Sequence, residues 1–158
     1  DATTVSVGHY EGGVYNNYWV LIFSYPENSH TEDYRQEVLD LVNAQRAKYG
    51  LAALEMGDDN LTAAAQTRAE EIAVVNSHVR PDGSKCFTVL KDYGVTDTPT
   101  GENAAWGSVS PEEVVDAWMN SEGHRANILN PEARKMSVGY YYNSTSTWGH
   151  QWIQLFTK

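Results

Sequence analysis

The residues of this sequence best suited to chemistry are two histidines and a glutamate. Glu102 follows a glycine and leads into an apolar stretch, so its carboxylate must be either solvated or held by a partner. His78 and His124 each stand beside a predicted helix end. Two neutral imidazoles and a carboxylate suit zinc, whose catalytic sites take three protein ligands and leave a position for water. Glu102, His78 and His124 are therefore candidates for catalysis, and the two histidines for zinc binding, if the fold brings them together.

Interpretations without a metal stay open for the same residues. No HExxH helix spacing fixes a set of ligands locally. A carboxylate hydrogen-bonded to a histidine is then an alternative to a metal site. His124 could also meet the negative end of a helix dipole and its free carbonyl groups. The residue types alone do not choose between a metal site and a polar cluster.

Two other side chains are weaker candidates, as nucleophiles. Ser121 lies one helical turn before His124, which could act as its base. A glycine intervenes, however, no GxSxG elbow is present, and a serine near a helix end more often bonds a backbone carbonyl. Cys86, the single cysteine, lies in a predicted short helix, where a small buried apolar side chain is the usual role.

Clear boundary signals predict the helix that precedes His124. The run SPEE at residues 110–113 combines a capping hydroxyl, a proline at the first helical position and a capping-box glutamate. Gly123 offers the left-handed conformation that ends many helices. We therefore expect this helix to end at Gly123, with His124 just beyond it, and we expect Glu102 to lie in a loop near Trp106.

Helical spacing of apolar residues predicts further helices upstream. One covers residues 31–49, and a second runs from a cap at Asp59 to about residue 76, just before His78. Ser84 is predicted to cap a short helix that Gly94 closes.

Strand signals lie at both ends of the chain. Residues 5–23 predict a hairpin, followed by a linker at residues 26–29, and residues 136–142 and 148–156 predict a second hairpin. This order predicts an α+β fold in which helices cover a sheet.

The two predicted hairpins resemble each other. SVGHY at residues 6–10 and WVLIF at residues 19–23 correspond to SVGYY at residues 137–141 and WIQLF at residues 152–156, with two extra residues in the second turn. The SVG triplet, the tyrosine and the approximate spacing to the tryptophan all recur, which favours duplication over a chance similarity of strand composition.

Composition excludes some classes of protein. The net charge is -10, and eleven scattered lysines and arginines do not form the basic surface that nucleic acid requires. The sequence contains no apolar run of about 18 residues, which a membrane span would need, and its first residues lack the pattern of a signal peptide. We therefore expect no nucleic-acid partner and no transmembrane segment.

Four motifs from about residue 32 to residue 156 resemble the bacterial extracellular branch of the CAP superfamily. This superfamily comprises SCP-domain proteins related to cysteine-rich secretory proteins, antigen 5 and plant pathogenesis-related proteins. The motifs are VNAQR at residues 42–46, SHVRPDGS at 77–84, GENAA at 101–105, and WMNS with GHRANIL at 118–129.

The resemblance implies an α+β fold, a three-layer α-β-α sandwich with a central antiparallel sheet, here with an extra N-terminal β-hairpin. It also implies a cleft. The first family histidine falls on His78, the glutamate of the GEN motif on Glu102 and the histidine of the GHR motif on His124, with Asn103 and Ser121 among the expected binding residues.

The chain also departs from the family pattern. Where the eukaryotic branch has a second glutamate, this chain has Ser121. The family's last-strand histidine corresponds to His150 or, by its spacing to Gln154, to Gln151. The full family tetrad is therefore absent, and His150 is the weakest of the expected metal ligands.

We interpret residues 1–28 as an extension and residues 29–158 as the CAP domain. The extension is expected to be the tail, or a relic of the tail, of an upstream CAP-like unit. Its residues 5–23 could add strands to a sheet edge in this chain or in a neighbouring molecule, and so support self-association.

The predicted function is that of a secreted or cell-surface CAP domain whose histidine and glutamate cleft binds a metal ion, such as zinc, or a small ligand. A hydrolase of peptide or cell-wall bonds, in which zinc or the Glu102–histidine pair activates water, is the first alternative. A non-catalytic adhesion or signalling scaffold is the second. A lipid and a protein are the other partner classes left open, because a fold by itself assigns no activity.

Overall fold

The computed structural model describes residues 4–24 and 31–158. In chain order these residues form β1 (Thr4–Glu11), β2 (Asn17–Ser24), α1 (Thr31–Lys48), β3 (Glu55–Met56), α2 (Asp59–Val74), a 3-10 turn (Cys86–Thr88), α3 (Val89–Asp92), β4 (Pro99–Trp106), α4 (Pro111–Met119), α5 (Glu122–Ile128), β5 (Lys135–Tyr142) and β6 (His150–Thr157). The linker predicted at residues 26–29 and the domain boundary predicted after residue 28 lie outside the described residues.

A four-stranded sheet in the order β3, β5, β6, β4 lies at the centre of the fold. β6 pairs antiparallel with β5 and with β4, whereas the two-residue β3 is parallel to β5. The predicted antiparallel sheet is confirmed, with one short parallel strand added at its edge. β4 forms the opposite edge of the sheet.

Helices cover both faces of this sheet, as the predicted three-layer sandwich requires. On one face α1, α4 and α5 enclose an apolar cluster around Val38, Trp118 and Trp152. On the other face α2 and α3 enclose a second cluster, in which Ala65 of α2 lies near Ile153 of β6. Both clusters exclude water, and alternate residues of β6 face alternate layers.

The helix predicted to precede His124 begins as expected but ends earlier. The Ser110 hydroxyl accepts a hydrogen bond from the Glu113 amide at 3.3 Å, so the predicted cap is confirmed. α4 ends at Met119, because Ser121 adopts an extended conformation and begins α5. The predicted stop at Gly123 is wrong, and His124 lies in the first turn of α5.

Two other boundaries differ in a similar way. The cap of α2 is Asp58, whose carboxylate accepts from the Leu61 amide at 2.9 Å, and not Asp59. The short helix lacks the predicted Ser84 cap, because a 3-10 turn comes first. Gly94 closes it with φ +67°, as predicted.

The segment around Glu102 is a strand and not the predicted loop. Residues 99–106 form β4, in which Glu102 pairs with Leu155 and Asn103 with Gln154. Glu102 therefore faces the α2 layer, and Asn103 faces the α5 layer. This alternation places the two neighbouring polar residues on opposite sides of the sheet edge.

The predicted N-terminal hairpin is confirmed as β1 and β2, which form a separate two-stranded sheet. Its turn contains Gly12, Gly13 and Asn16, all with positive φ. Apolar side chains on both of its faces are exposed.

Candidate functional site

The site is built around the buried carboxylate of Glu102 on β4. Arg68 of α2 donates to both carboxylate oxygens, from Nε at 2.9 Å and from Nη2 at 3.3 Å. The exposed fraction of the side chain is 0% for Arg68 and 2% for Glu102. Because each buried charge is paired and hydrogen-bonded, the carboxylate can stay ionised inside the protein.

Arg68 also holds the segment that follows α2. It donates to Glu71 at 2.6 Å and to the carbonyl oxygen of Ser77 at 3.1 Å. Arg80 then donates to Glu71 at 2.7 Å and to Asp92 at 2.7 Å. These ion pairs fix residues 77–80, and so determine where His78 lies.

Sequence reasoning missed Arg68, although a signal was present. Arg68 occupies a position on the alanine-rich stripe of α2, four residues after Ala64 and four before Ile72, and all three are buried. An arginine on an apolar helix stripe needs a buried acidic partner. Glu102, predicted to be either solvated or held by a partner, is the buried carboxylate that Arg68 contacts.

His78 completes the cluster through one ring nitrogen. Its Nδ1 lies 2.7 Å from Oε1 of Glu102. An ionised carboxylate only accepts hydrogen bonds, so Nδ1 carries the proton and Nε2 is left for another partner. The side chain of His78 is 55% exposed, which leaves that nitrogen accessible to a ligand from solvent.

The pKa values of this pair follow from the contacts. Burial raises the pKa of Glu102, but the hydrogen bonds from His78 and Arg68 outweigh burial, so the pKa lies below its ordinary value. The hydrogen bond to Glu102 raises the pKa of His78, against the effects of burial and of the Arg68 charge. Glu102 is thus an anion that orients and stabilises a protonatable imidazole.

His124 reaches the same region from the other side of the β4 edge. Burial, and then the positive charge of His78, lower the pKa of His124. The two imidazoles therefore lie within electrostatic reach of each other, and the one on α5 favours its neutral form. The structure thus joins His78 to Glu102 by a hydrogen bond and places His124 where the charge of His78 reaches it.

Asn103 positions α5 on the sheet and is fully buried. Its Nδ2 donates to the carbonyl oxygen of His124 at 3.1 Å and to Gln154 at 2.9 Å. Its Oδ1 accepts from Nδ2 of Asn127 at 2.8 Å, and Asn127 also donates to the carbonyl oxygen of Glu102 at 3.2 Å. The amide predicted to bind a ligand thus has its hydrogen-bonding groups engaged inside the protein.

Ser121 and His150 are placed differently from the other candidates. Ser121 is the residue before the first turn of α5, and its hydroxyl makes no hydrogen bond to His124 within the described residues. His150 begins β6, five residues before the position that pairs with Glu102, and its Nδ1 lies 2.8 Å from the Tyr140 hydroxyl. His150 therefore lies away from the cluster, at the far end of the strand.

Cys86 lies close to Glu102 but is not set up as a nucleophile. Burial, together with the negative charge of Glu102, raises the pKa of the Cys86 thiol to about 11. The reactive form of a cysteine is the thiolate. At neutral pH Cys86 therefore stays a protonated, buried side chain.

As a metal site the cluster offers two ligands and a supporting carboxylate. Within residues 4–24 and 31–158, no group of three or more histidine, cysteine, aspartate or glutamate side chains is arranged to hold a metal ion. Glu102 is engaged by Arg68 and by His78, which leaves His78 and His124 as the donors. A carboxylate on the far nitrogen of a ligating histidine is the usual outer partner in zinc sites. A metal ion held by these two histidines would have to take its remaining ligands from outside the described residues.

Comparison with known proteins agrees with the fold and with the motifs. The sequence profile of the cysteine-rich secretory protein family, CAP, matches residues 39–156. YkwD of Bacillus subtilis is 41% identical over 127 residues, which cover 79% of this chain and 49% of YkwD. Pathogenesis-related protein 1C of Nicotiana tabacum is 29% identical over 124 residues, covering 77% of this chain and 63% of that protein.

Solved structures give the same result. An extracellular protein of Bacillus anthracis that contains an SCP domain superimposes with a TM-score of 0.72 and 25% identity, over 89% of this chain and 47% of that one. An outer surface protein of Borrelia burgdorferi superimposes with a TM-score of 0.69 and 25% identity, over 84% of this chain and 96% of that one. This chain spans about half the length of YkwD and of the B. anthracis protein. Among the described residues, no helix is both long and apolar enough to span a bilayer. The profile match over most of the chain and the shared fold lead to one conclusion: this chain belongs to the CAP family, in its bacterial branch.

Proposed function

We propose that this CAP domain acts outside the cell as a binding module, in which His78 and His124 contact a metal ion or a small ligand and Glu102 positions His78. One observation carries the proposal. The Glu102 carboxylate is fixed by Arg68 and accepts a hydrogen bond from Nδ1 of His78. The lone pair on Nε2 of this half-exposed imidazole is then available to a metal ion or ligand.

Zinc is the metal that suits this pair of donors. Nε2 of His78 and the imidazole of His124 would hold it, and the hydrogen bond to Glu102 would fix the tautomer and orientation of His78. A bound zinc ion would supply Lewis acidity to whatever external ligand completed its coordination. The lowered pKa of His124 favours the neutral imidazole that a metal requires.

Zinc titration of the purified protein by calorimetry tests this proposal. Wild type should bind one zinc ion per chain, and His78→Ala and His124→Ala should each weaken binding at least about tenfold. His9→Ala, in the N-terminal hairpin, and His150→Gln, at the far end of β6, are the matched controls and should bind as wild type does.

Two results would count against the proposal. If wild type does not bind zinc at micromolar concentration, the metal-binding form of the proposal is rejected. If His78→Ala and the control variants bind equally well, the cleft is not the binding site.

A hydrolase is the second candidate, favoured by the contact between His78 and Glu102. A carboxylate that accepts from Nδ1 and leaves Nε2 free is the arrangement that orients a histidine as a general base. Glu102 itself is a poor base here, because its pKa is lowered and Arg68 occupies both of its oxygens. In this candidate function His78 would take the proton from water, and His78→Gln would abolish hydrolysis of peptide or cell-wall substrates.

Action outside the cell is supported by the B. anthracis relative, which is an extracellular protein, and by the B. burgdorferi relative, which is an outer surface protein. Fractionation of cells that produce the full-length protein tests it. The proposal predicts recovery from the medium or the cell surface. Recovery from the cytoplasm would contradict it.

A further inference from the structure

The two hairpins of this chain have the same strand register. In β1 and β2 the pairs run from Thr4 with Ser24 to Glu11 with Asn17, and in β5 and β6 they run from Lys135 with Thr157 to Tyr142 with His150. Aligning the recurring SVG and tryptophan positions makes all eight pairs correspond. The likeness seen in the sequence is therefore also a likeness of backbone pairing, which is what duplication of one structural unit produces.

The surroundings of the two hairpins are opposite. Seven apolar residues of β1 and β2 have exposed fractions between 54% and 67%, namely Val5, Val7, Trp19, Val20, Leu21, Ile22 and Phe23. Their counterparts in β5 and β6 are at most 1% exposed, namely Met136, Val138, Trp152, Ile153, Gln154, Leu155 and Phe156. An apolar surface of this extent on both faces of a hairpin indicates that something else covers it.

Gly8 lies in open space, whereas its counterpart in β5 is closely covered. At its counterpart, Gly139, an added Cβ would overlap the backbone carbonyl oxygen of Ala65, because α2 crosses the sheet there at close range. Among the described residues, an added Cβ at Gly8 would meet only the Cβ of Val20, at 4.0 Å. Glycine weakens the interior of a strand and often marks a site where another backbone approaches closely. Nothing within the described residues makes that approach to Gly8.

The outer edge of β1 also lacks contacts that its counterpart on β5 makes. On β5, Nε of Arg35 donates to the carbonyl oxygen of Val138 at 3.0 Å, and Nε2 of Gln66 donates to that of Tyr140 at 2.9 Å. The corresponding carbonyl groups of β1 belong to Val7 and His9. Within residues 4–24 and 31–158 neither accepts a hydrogen bond at this edge. Helices equivalent to α1 and α2 would supply both donors.

We propose that β1 and β2 form the closing hairpin of a second CAP unit, docking between the two helical layers of a unit that has no closing hairpin of its own. The helix of that unit equivalent to α2 crosses at Gly8, and the layer equivalent to α1 and α4 covers Trp19. A second copy of this chain is not the expected partner, because its own β5 and β6 already fill that position. The inference is independent of the cleft and of its ligand.

A receiver fragment lacking β5 and β6 tests the proposal. Tagged residues 31–133 of this chain, which provide the helical layers without a closing hairpin, are refolded together with the complete 158-residue chain. The complete chain should capture the fragment as a one-to-one complex, measured by pull-down and by light scattering after gel filtration. Capture should fall at least about tenfold with Gly8→Leu, because the added side chain blocks the helix.

Two controls show whether capture depends on the proposed contact. Val14→Leu changes the exposed hairpin turn and should capture the fragment as wild type does. Gly8→Leu should leave the melting temperature of the complete chain unchanged, because space is open at Gly8 in that chain.

Three outcomes would overturn the proposal. The fragment could be rescued by a synthetic peptide of residues 134–158, which restores its own closing hairpin, and yet remain aggregated beside the wild-type chain. It could be captured equally well by the Gly8→Leu chain, which would assign capture to β5 and β6. The complete chain could form dimers that Gly8→Leu disrupts, which would make a second copy the partner.

Discussion

The N-terminal and C-terminal hairpins pair equivalent residues in the same register, yet one is exposed on both faces and the other is buried on both. The difference shows which properties a hairpin carries in its own sequence. Alternation and turn residues set the register in both cases. Burial depends on whether helices pack against the hairpin. The cleft lies beside the C-terminal hairpin, which is packed between helices.

Replacing the two corresponding tryptophans with alanine should give the largest difference in stability between the hairpins. Trp152 is fully buried and donates to the carbonyl oxygen of Ser108 at 2.7 Å, whereas Trp19 is 67% exposed. Trp152→Ala should lower the free energy of unfolding by about 3–5 kcal/mol. Trp19→Ala should change it by less than about 0.5 kcal/mol. Urea denaturation of both variants measures the contrast, and equal losses would show that the N-terminal hairpin is packed in the free chain.

The paired glycines should give the next largest contrast. Gly139→Leu places a side chain against the backbone of α2, which no rotamer change relieves, and should cost about 3 kcal/mol of stability. Gly8→Leu should cost nothing measurable in the free chain. Thermal unfolding checks both variants, and a stable Gly139→Leu protein would show that the backbone of α2 does not contact β5 at Gly139.

An exchange of residues between the hairpins should have the smallest effect. Leu21 corresponds to Gln154, a buried residue whose Nε2 has no hydrogen-bond partner in the part of the chain that the structure describes. Gln154→Leu removes that unsatisfied group. It also removes the hydrogen bond from Nδ2 of Asn103 to Gln154, but Nδ2 still donates to the His124 carbonyl oxygen. The variant should be more stable by about 1 kcal/mol. Leu21→Gln, the matched change, should shift stability by less than about 0.5 kcal/mol, and a clear loss in Gln154→Leu would contradict the contact assignment.

Much of the fold could be predicted from the sequence, because the local signals agree with the tertiary structure. Strand signals in residues 5–23 indicated the first hairpin, the apolar spacing indicated α1 and α2, and Ser110 with Pro111 indicated the start of α4. Glu102 and His78 were found because a carboxylate after glycine and a histidine after a helix both suggested partners.

The strand around Glu102 could not be recognised in the same way. Glycine, glutamate and asparagine are poor strand formers, so GEN predicts a loop. The strand forms because contacts distant in sequence compensate for this: Arg68 pairs with Glu102, and Gln154 and Asn127 engage Asn103. Local propensity carries no information about such partners.

The helix boundary at His124 was wrong for a related reason. Gly123 is a reasonable helix stop by its residue type, but the chain has already turned at Ser121. Asn103 then holds the new helix against the sheet by its bond to the His124 carbonyl oxygen. Tertiary contact thus overrides the local signal, and places the imidazole beside the cleft.

Histidine titration by NMR tests the central claim most directly, namely that Glu102 holds His78 by Nδ1 beside a neutral His124. Long-range proton–nitrogen spectra of the wild-type protein, assigned with His78→Gln and His124→Gln, report the tautomer and the pKa of each ring. The structure predicts that neutral His78 carries its proton on Nδ1 and that its pKa lies above the ordinary value of 6.5, whereas the pKa of His124 lies below it. A proton on Nε2 of His78, or a pKa of His78 at or below that of His124, would contradict the account.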